Sequence, residues 1–241
     1  MFHSPIRFQN PGMLISDIAV AIACLYCYFD IKISTKNSGE EDLKKFWKLF
    51  FLFESISFLI GGLSHGLVTD HSTILSMLSF YLSIAGVLFF TMGILAASYG
   101  SINKWHITLL FSGAIASAVI TTILNSFSVI IIYCFSIMFI IALINQKNRI
   151  ISFKTPCSKG ILLGTLLFII ASVFFVFNIQ VLSIESGVIS HIIIAVGILL
   201  FGNGCRSTII SEHYKNTESY DDGVQKKSIK KSGISVFHTR E

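Results

Sequence analysis

The chain has 241 residues, of which 53% are hydrophobic and only 13% charged, and its mean hydropathy is +0.75. Soluble domains carry about 25% charged residues, so this composition excludes a disordered chain and argues strongly against a soluble globular one. Three prolines exclude a proline-rich linker, and the net charge of +5 is scattered along the sequence rather than gathered into a nucleic-acid-binding motif.

Residues 1–12 contain Pro5 and Pro11 and no apolar run, so they read as an N-terminal segment rather than a signal peptide. The first apolar stretch, Met13 to Ile33, reaches the roughly 20 residues that a bilayer-spanning helix needs. It is interrupted by Asp17 and carries Cys24 and Cys27, whose C-x-x-C spacing has no second pair and fits apolar packing better than redox or zinc chemistry.

The second stretch, Phe46 to Val68, holds Glu54, Ser57, Gly61 and His65 at steps of three, four and four. That spacing returns to one helix face. A buried charge in lipid is costly and marks a functional candidate. Glu54 and His65 stand about 16 Å apart along a helix axis, too far for a direct acid–base pair. A short connection with Asp70 and His71 leads to the third stretch, Thr73 to Ser98, which gathers Ser76, Ser79, Ser83, Gly86, Gly93 and Ala97 on one face. Small residues there imply close helix approach.

The fourth stretch, Trp105 to Leu124, opens on Trp105-His106, an interfacial anchor. The fifth runs from Phe127 to Asn145 and the sixth from Gly160 to Val181, the latter with a small-xxx-small pair at Gly160 and Gly164 and with Asn178 and Gln180 near its end. Glu185 precedes the seventh, Gly187 to Ile210, in which His191 lies near the start. Residues 211–241 form a polar tail whose Lys226, Lys227, Lys230 and Lys231 suit a disordered cytoplasmic segment. None of these stretches alternates as a barrel strand would.

The reading is one all-α domain over residues 13–210, an integral bundle of seven transmembrane helices with the N-terminus outside and the C-terminus cytoplasmic. Basic residues set the orientation. Of 18 lysines and arginines, only Arg7 falls on the N-terminal side. An integral membrane location is expected, with lipid as the surrounding partner and no nucleic acid.

With this topology His65, His191 and Asp17 share one depth near the outer face, beside Asp70 and His71. Histidine and carboxylate are zinc ligands. His65, His191 and His71 are therefore candidate metal ligands, and Asp17 and Asp70 candidates to orient or activate water. The same residues also suit a site for another ligand or a proton, or a structural hydrogen-bond network. A carrier or receptor using Glu54 as its intramembrane charge is the alternative function, and a purely structural membrane protein is another.

Three pieces carry a resemblance: Asp17-Ile18-Ala19-Val20, the stretch Phe58-Leu59-Ile60-Gly61-Gly62-Leu63-Ser64-His65-Gly66, and Ser190-His191. Together they resemble an uncharacterised bacterial seven-helix membrane family, which is itself similar to the superfamily of alkaline ceramidases and progestin/adipoQ receptors. The resemblance implies a zinc-dependent hydrolase acting on a lipid amide, with His65 matching its second-helix histidine and His191 one seventh-helix histidine. Gly61 stands where that pattern has serine, and the third stretch has no aspartate. The remaining ligands would then come from Asp17, Asp70 or His71.

Overall fold

The structure, a computed structural model, describes residues 10–36, 41–66, 72–99, 103–124, 156–181 and 184–232. These form α1 (Pro11–Ser34), α2 (Glu41–Gly66), α3 (Ser72–Tyr99), α4 (Lys104–Leu124), α5 (Pro156–Val176) and α6 (Ser186–Ser232). All six contain a segment long and apolar enough to cross a membrane. The fifth expected stretch, Phe127 to Asn145, lies outside the described residues.

Local chemistry sets the helix ends. The Asn10 side chain accepts the Met13 N–H at 3.0 Å and Pro11 opens α1, a side-chain cap followed by a residue that has no N–H to leave unpaired. Asn103 caps α4 in the same way, accepting from Trp105 N–H. Inside the apolar layer, hydroxyls turn back to the carbonyl one turn earlier: Thr91 to Val87, Ser172 to Phe168 and Thr208 to Gly204. Polar side chains are satisfied this way without a partner helix.

α5 stops earlier than the apolar run suggests. Asn178 takes a left-handed conformation at φ 49°. Ile179 N–H reaches Phe174 C=O at 3.0 Å and Asn178 N–H reaches Phe175 C=O at 3.3 Å. This crossed pair of bonds is the Schellman ending, in which asparagine substitutes for glycine. α6, in contrast, runs past the apolar stretch to Ser232, where the expectation was a disordered tail. No proline interrupts residues 211–232, so nothing removes a backbone donor from the helix there.

Contacts fix the helix directions. Leu14 lies against Gly66, Asp17 against Gly62, and the Ser55 hydroxyl donates to Ala21 C=O, so α1 and α2 are antiparallel. α2 and α3 are antiparallel in a seven-residue register: Trp47 meets Gly93, Glu54 meets Gly86 and Gly61 meets Ser79. α5 and α6 are antiparallel, with Gly160 beside Gly204 and Gly164 beside Gly197 and Phe201. α1 and α6 are parallel: Met13 meets Gly187, Cys27 meets Gly202, and Asp30 meets Arg206 at 3.3 Å. The end where α1 and α6 begin is called the upper end below.

The core sits where α1, α2, α3 and α6 converge. Trp47, Phe51 and Phe201 are fully buried there with Val20, Cys24, Cys27 and Cys205. The C-x-x-C cysteines are therefore packed as core residues. Their neighbours Phe50, Phe90 and Phe201 form an edge-and-tilt aromatic group, a favoured geometry for ring pairs. α4 touches the rest through α3, where Ala114 packs with Ile84, Leu88 and Met92.

Candidate functional site

Because α1 and α6 start together and run side by side, residues a few positions into each come to the same level. Asp17 and His191 meet there. Asp17 Oδ1 lies 3.0 Å from His191 Nδ1, and the two side chains are 3% and 12% exposed. The Ser16 hydroxyl donates to Met13 C=O at 2.9 Å, and its oxygen stands 3.3 Å from the same imidazole nitrogen. α2 closes the other side. The Phe58 and His191 rings stand nearly perpendicular, with centroids 5.6 Å apart.

Glycine makes this approach possible. A Cβ on Gly62 would lie 2.8 Å from Asp17 Cβ, and one on Gly66 would lie 2.6 Å from Leu14 Cβ. Only a residue without a side chain lets α2 come this close to α1.

The two contacts on Nδ1 define what the imidazole can do. With Asp17 ionised, the contact places the ring proton on Nδ1, shared toward Asp17 and Ser16, and leaves Nε2 with its lone pair. A carboxylate on one ring nitrogen is the usual way to orient the other toward a metal or a proton. Ser16 faces the carboxylate-bound nitrogen, so the three groups do not form a serine–histidine–aspartate relay, in which serine and carboxylate take opposite nitrogens. Asp17 Oδ2 is buried and has no hydrogen-bond partner among the described residues. A buried carboxylate oxygen left in that state is unfavourable, so the site has capacity for one more donor.

A polar rim lies above. The Asn10 side chain donates to Glu185 at 2.6 Å, and Ser186 donates to Asn178 at 2.8 Å. Ser190, next to His191, donates to Ala171 and Ser186 carbonyls. Asn178 and Glu185 thus sit at the helix starts, more than one turn above Asp17 and His191 rather than at their level, and Gln180 is exposed nearby in the chain.

The other candidates are placed differently. His65 is exposed. It stands seven residues after Phe58, hence on the α2 face that meets His191. Asp70 and His71 lie outside the described residues. Among the described residues no three His, Cys, Asp or Glu side chains gather as a metal-binding group.

Glu54 is separate from this centre. It is buried midway along α2, facing α3. Ser83 donates to its Oε2 at 3.3 Å, Ser57 Oγ lies 2.9 Å from Ser83 Oγ, and Ser79 Oγ lies 3.2 Å from Ser57 Oγ. The polar stripe of α2 and the small stripe of α3 therefore face each other.

Sequence reasoning placed Asp17 and His191 at one depth but did not pair them. It missed Ser16, Phe58 as the ring against His191, and Gly62 as the space that admits Asp17. Gly62 stood beside Gly61 in plain sight, but a glycine pair does not say which helix each glycine faces.

Taken together, the six apolar helices and their glycine-mediated packing define a multi-pass, all-helical integral membrane protein. The model of DUF6962, a family of unknown function, matches residues 13–209, and the chain belongs to that family. The matched region runs from α1 into α6 and contains Asp17, Glu54, His65 and His191. No curated protein and no solved structure matches the chain.

Proposed function

We propose that the working group of this protein is the His191 imidazole, held by Asp17 in a polar centre near the outer membrane face. The observation that carries this reading is the 3.0 Å contact between Asp17 Oδ1 and His191 Nδ1 in a nearly closed site. It makes Asp17 a positioning residue, and it turns Nε2 into the nitrogen available to a ligand.

The sharpest form of the reading is a metal-dependent hydrolase of lipid amides or esters. A carboxylate-held imidazole fits a zinc ligand. His191 would hold the ion with His65 from α2, and the set would be completed by His71 or Asp70. Zinc in such a set supplies an acidified water as nucleophile. What this chain supplies is the imidazole orientation, the buried Asp17 Oδ2 that can take one further donor, and a location near lipid headgroups.

The topology belongs to the same proposal: seven crossings, N-terminus outside, C-terminus cytoplasmic, in a bacterial inner membrane. Helix directions support it. α1 and α6 run in the same direction and α5 opposes α6, whereas α1 to α4 alternate, with Tyr81 of α3 bonded to Thr122 of α4 at 2.6 Å. α4 and α5 then point the same way, which an odd number of crossings in total accommodates. The basic residues gather on one side of that arrangement.

Elemental analysis of untagged protein in mild detergent tests the chemistry. Wild type is expected to carry about one zinc per chain, His191→Ala and His65→Ala to lose it, and Asp17→Asn to weaken binding about 10–100-fold. Folded, metal-free wild type that also fails to bind added zinc would overturn the hydrolase form.

A further inference from the structure

The outer centre leaves Glu54 without a role. This carboxyl is 6% exposed, sits halfway along α2, and has no cationic partner among the described residues. From α1, Cys24 lies within electrostatic reach of it. From α3 it meets the Ser83 hydroxyl and the backbone of Gly86, where a Cβ would overlap Oε1. An uncompensated carboxylate at this depth is expensive, and intramembrane carboxyls are retained for ion or proton handling.

Its hydrogen-bond neighbours form a line rather than a cage. From Glu54 Oε2 the hydroxyls of Ser83, Ser57 and Ser79 follow at 3.3, 2.9 and 3.2 Å. At rest Ser57 donates to Ser79 C=O at 2.8 Å and Ser79 to Ser57 C=O at 3.0 Å, so both hydroxyls must rotate off these carbonyls before a proton can move along the line. They climb the α2–α3 seam toward the upper end, and Ser64 and Ser76 are bonded to each other about one turn further on. Each hydroxyl can accept a proton and release its own. Gly61 keeps the seam narrow above Glu54, because a Cβ there would meet Ser79 Oγ at 3.1 Å.

We propose that Glu54 is an intramembrane proton-binding site that exchanges with water at the upper face through the Ser83–Ser57–Ser79 hydroxyl line. In the outward step the Glu54 proton passes to Ser83 Oγ. Ser83 passes its own proton to Ser57 Oγ, Ser57 to Ser79 Oγ, and Ser79 to a water molecule. Glu54 is left as carboxylate and the water as hydronium. Hydroxyl rotation resets the line, and the reverse sequence reloads it. This proposal does not depend on a metal at His191.

Infrared spectroscopy of proteoliposomes tests it, following the carbonyl band of protonated carboxyls after transfer from H2O to D2O. Wild type is expected to show a band that Glu54→Gln removes. Ser57→Ala is expected to keep that band but slow its deuterium shift by about tenfold or more, and Ser57→Thr, which restores a hydroxyl, to recover the rate. If Glu54→Gln does not fold, Ser83→Ala must move the same band, since it removes the hydrogen bond to Oε2. A wild-type spectrum without such a band, a band unmoved by Ser83→Ala, or wild-type exchange in Ser57→Ala would overturn the proposal, leaving Glu54 as a static link between α2 and α3.

Discussion

Single atoms decide where these helices can meet. Trp47 is fully buried, and a Cβ on Gly93 would overlap the indole ring. Backbone and a rigid ring cannot yield as a flexible side chain can. Gly93→Ala is therefore expected to destabilise the bundle by about 1–3 kcal/mol through overpacking, read as a lower unfolding midpoint in detergent. A midpoint equal to wild type would show that α3 can slide away from Trp47. The indole N–H is itself buried and lacks a partner among the described residues, an unfavourable state for a donor. At this scale the sequence was only partly legible. It displayed the small residues of the third stretch on one face, but the identity of the large residue filling each gap depended on the antiparallel register.

Between elements, glycine-mediated contact and ionic contact do different work. α5 and α6 approach until a Cβ on Gly164 would lie 2.7 Å from Gly197 C=O and 2.6 Å from Phe201 Cβ. In lipid no hydrophobic force joins helices, so such close packing carries their association. α1 and α6 also share the Arg206–Asp30 pair at 3.3 Å, with both side chains partly exposed. Exposed pairs of this kind contribute about 0–1 kcal/mol, whereas overpacking costs about 1–3 kcal/mol. Gly164→Ala is accordingly expected to lower the unfolding midpoint clearly more than Arg206→Ala in the same detergent. The reverse order would mean that the pair, not the glycine seam, holds α6. The Gly160/Gly164 pair was readable from spacing alone. The Arg206–Asp30 contact was not, since it joins residues 176 positions apart.

For the molecule as a whole, apolar length announced the spans, and Asp17 and Glu54 within the first two stretches announced the interior. Six of the spans appear as helices, and the C-x-x-C cysteines pack in the core as their apolar setting suggested. What sequence could not supply is which helices neighbour which. Asp17 and His191 become partners only because the first and last helices run side by side in one direction. The Asn178 turn and the continuation of α6 to Ser232 were hidden for a related reason: hydropathy reports where apolar residues stop, not where backbone hydrogen bonding stops. The same arrangement keeps two acidic centres apart, Asp17 against α6 near one end and Glu54 against α3 at mid-depth. Nitrogen-15 NMR of histidine-labelled protein in lipid bilayers reads the first of these centres directly. In wild type the His191 signal, identified by its loss in His191→Gln, is expected to report a protonated Nδ1 and an unprotonated Nε2, and in Asp17→Asn that preference is expected to weaken. A His191 ring protonated on Nε2 alone, unchanged by Asp17→Asn, would contradict the assignment of Asp17 as the group that holds His191.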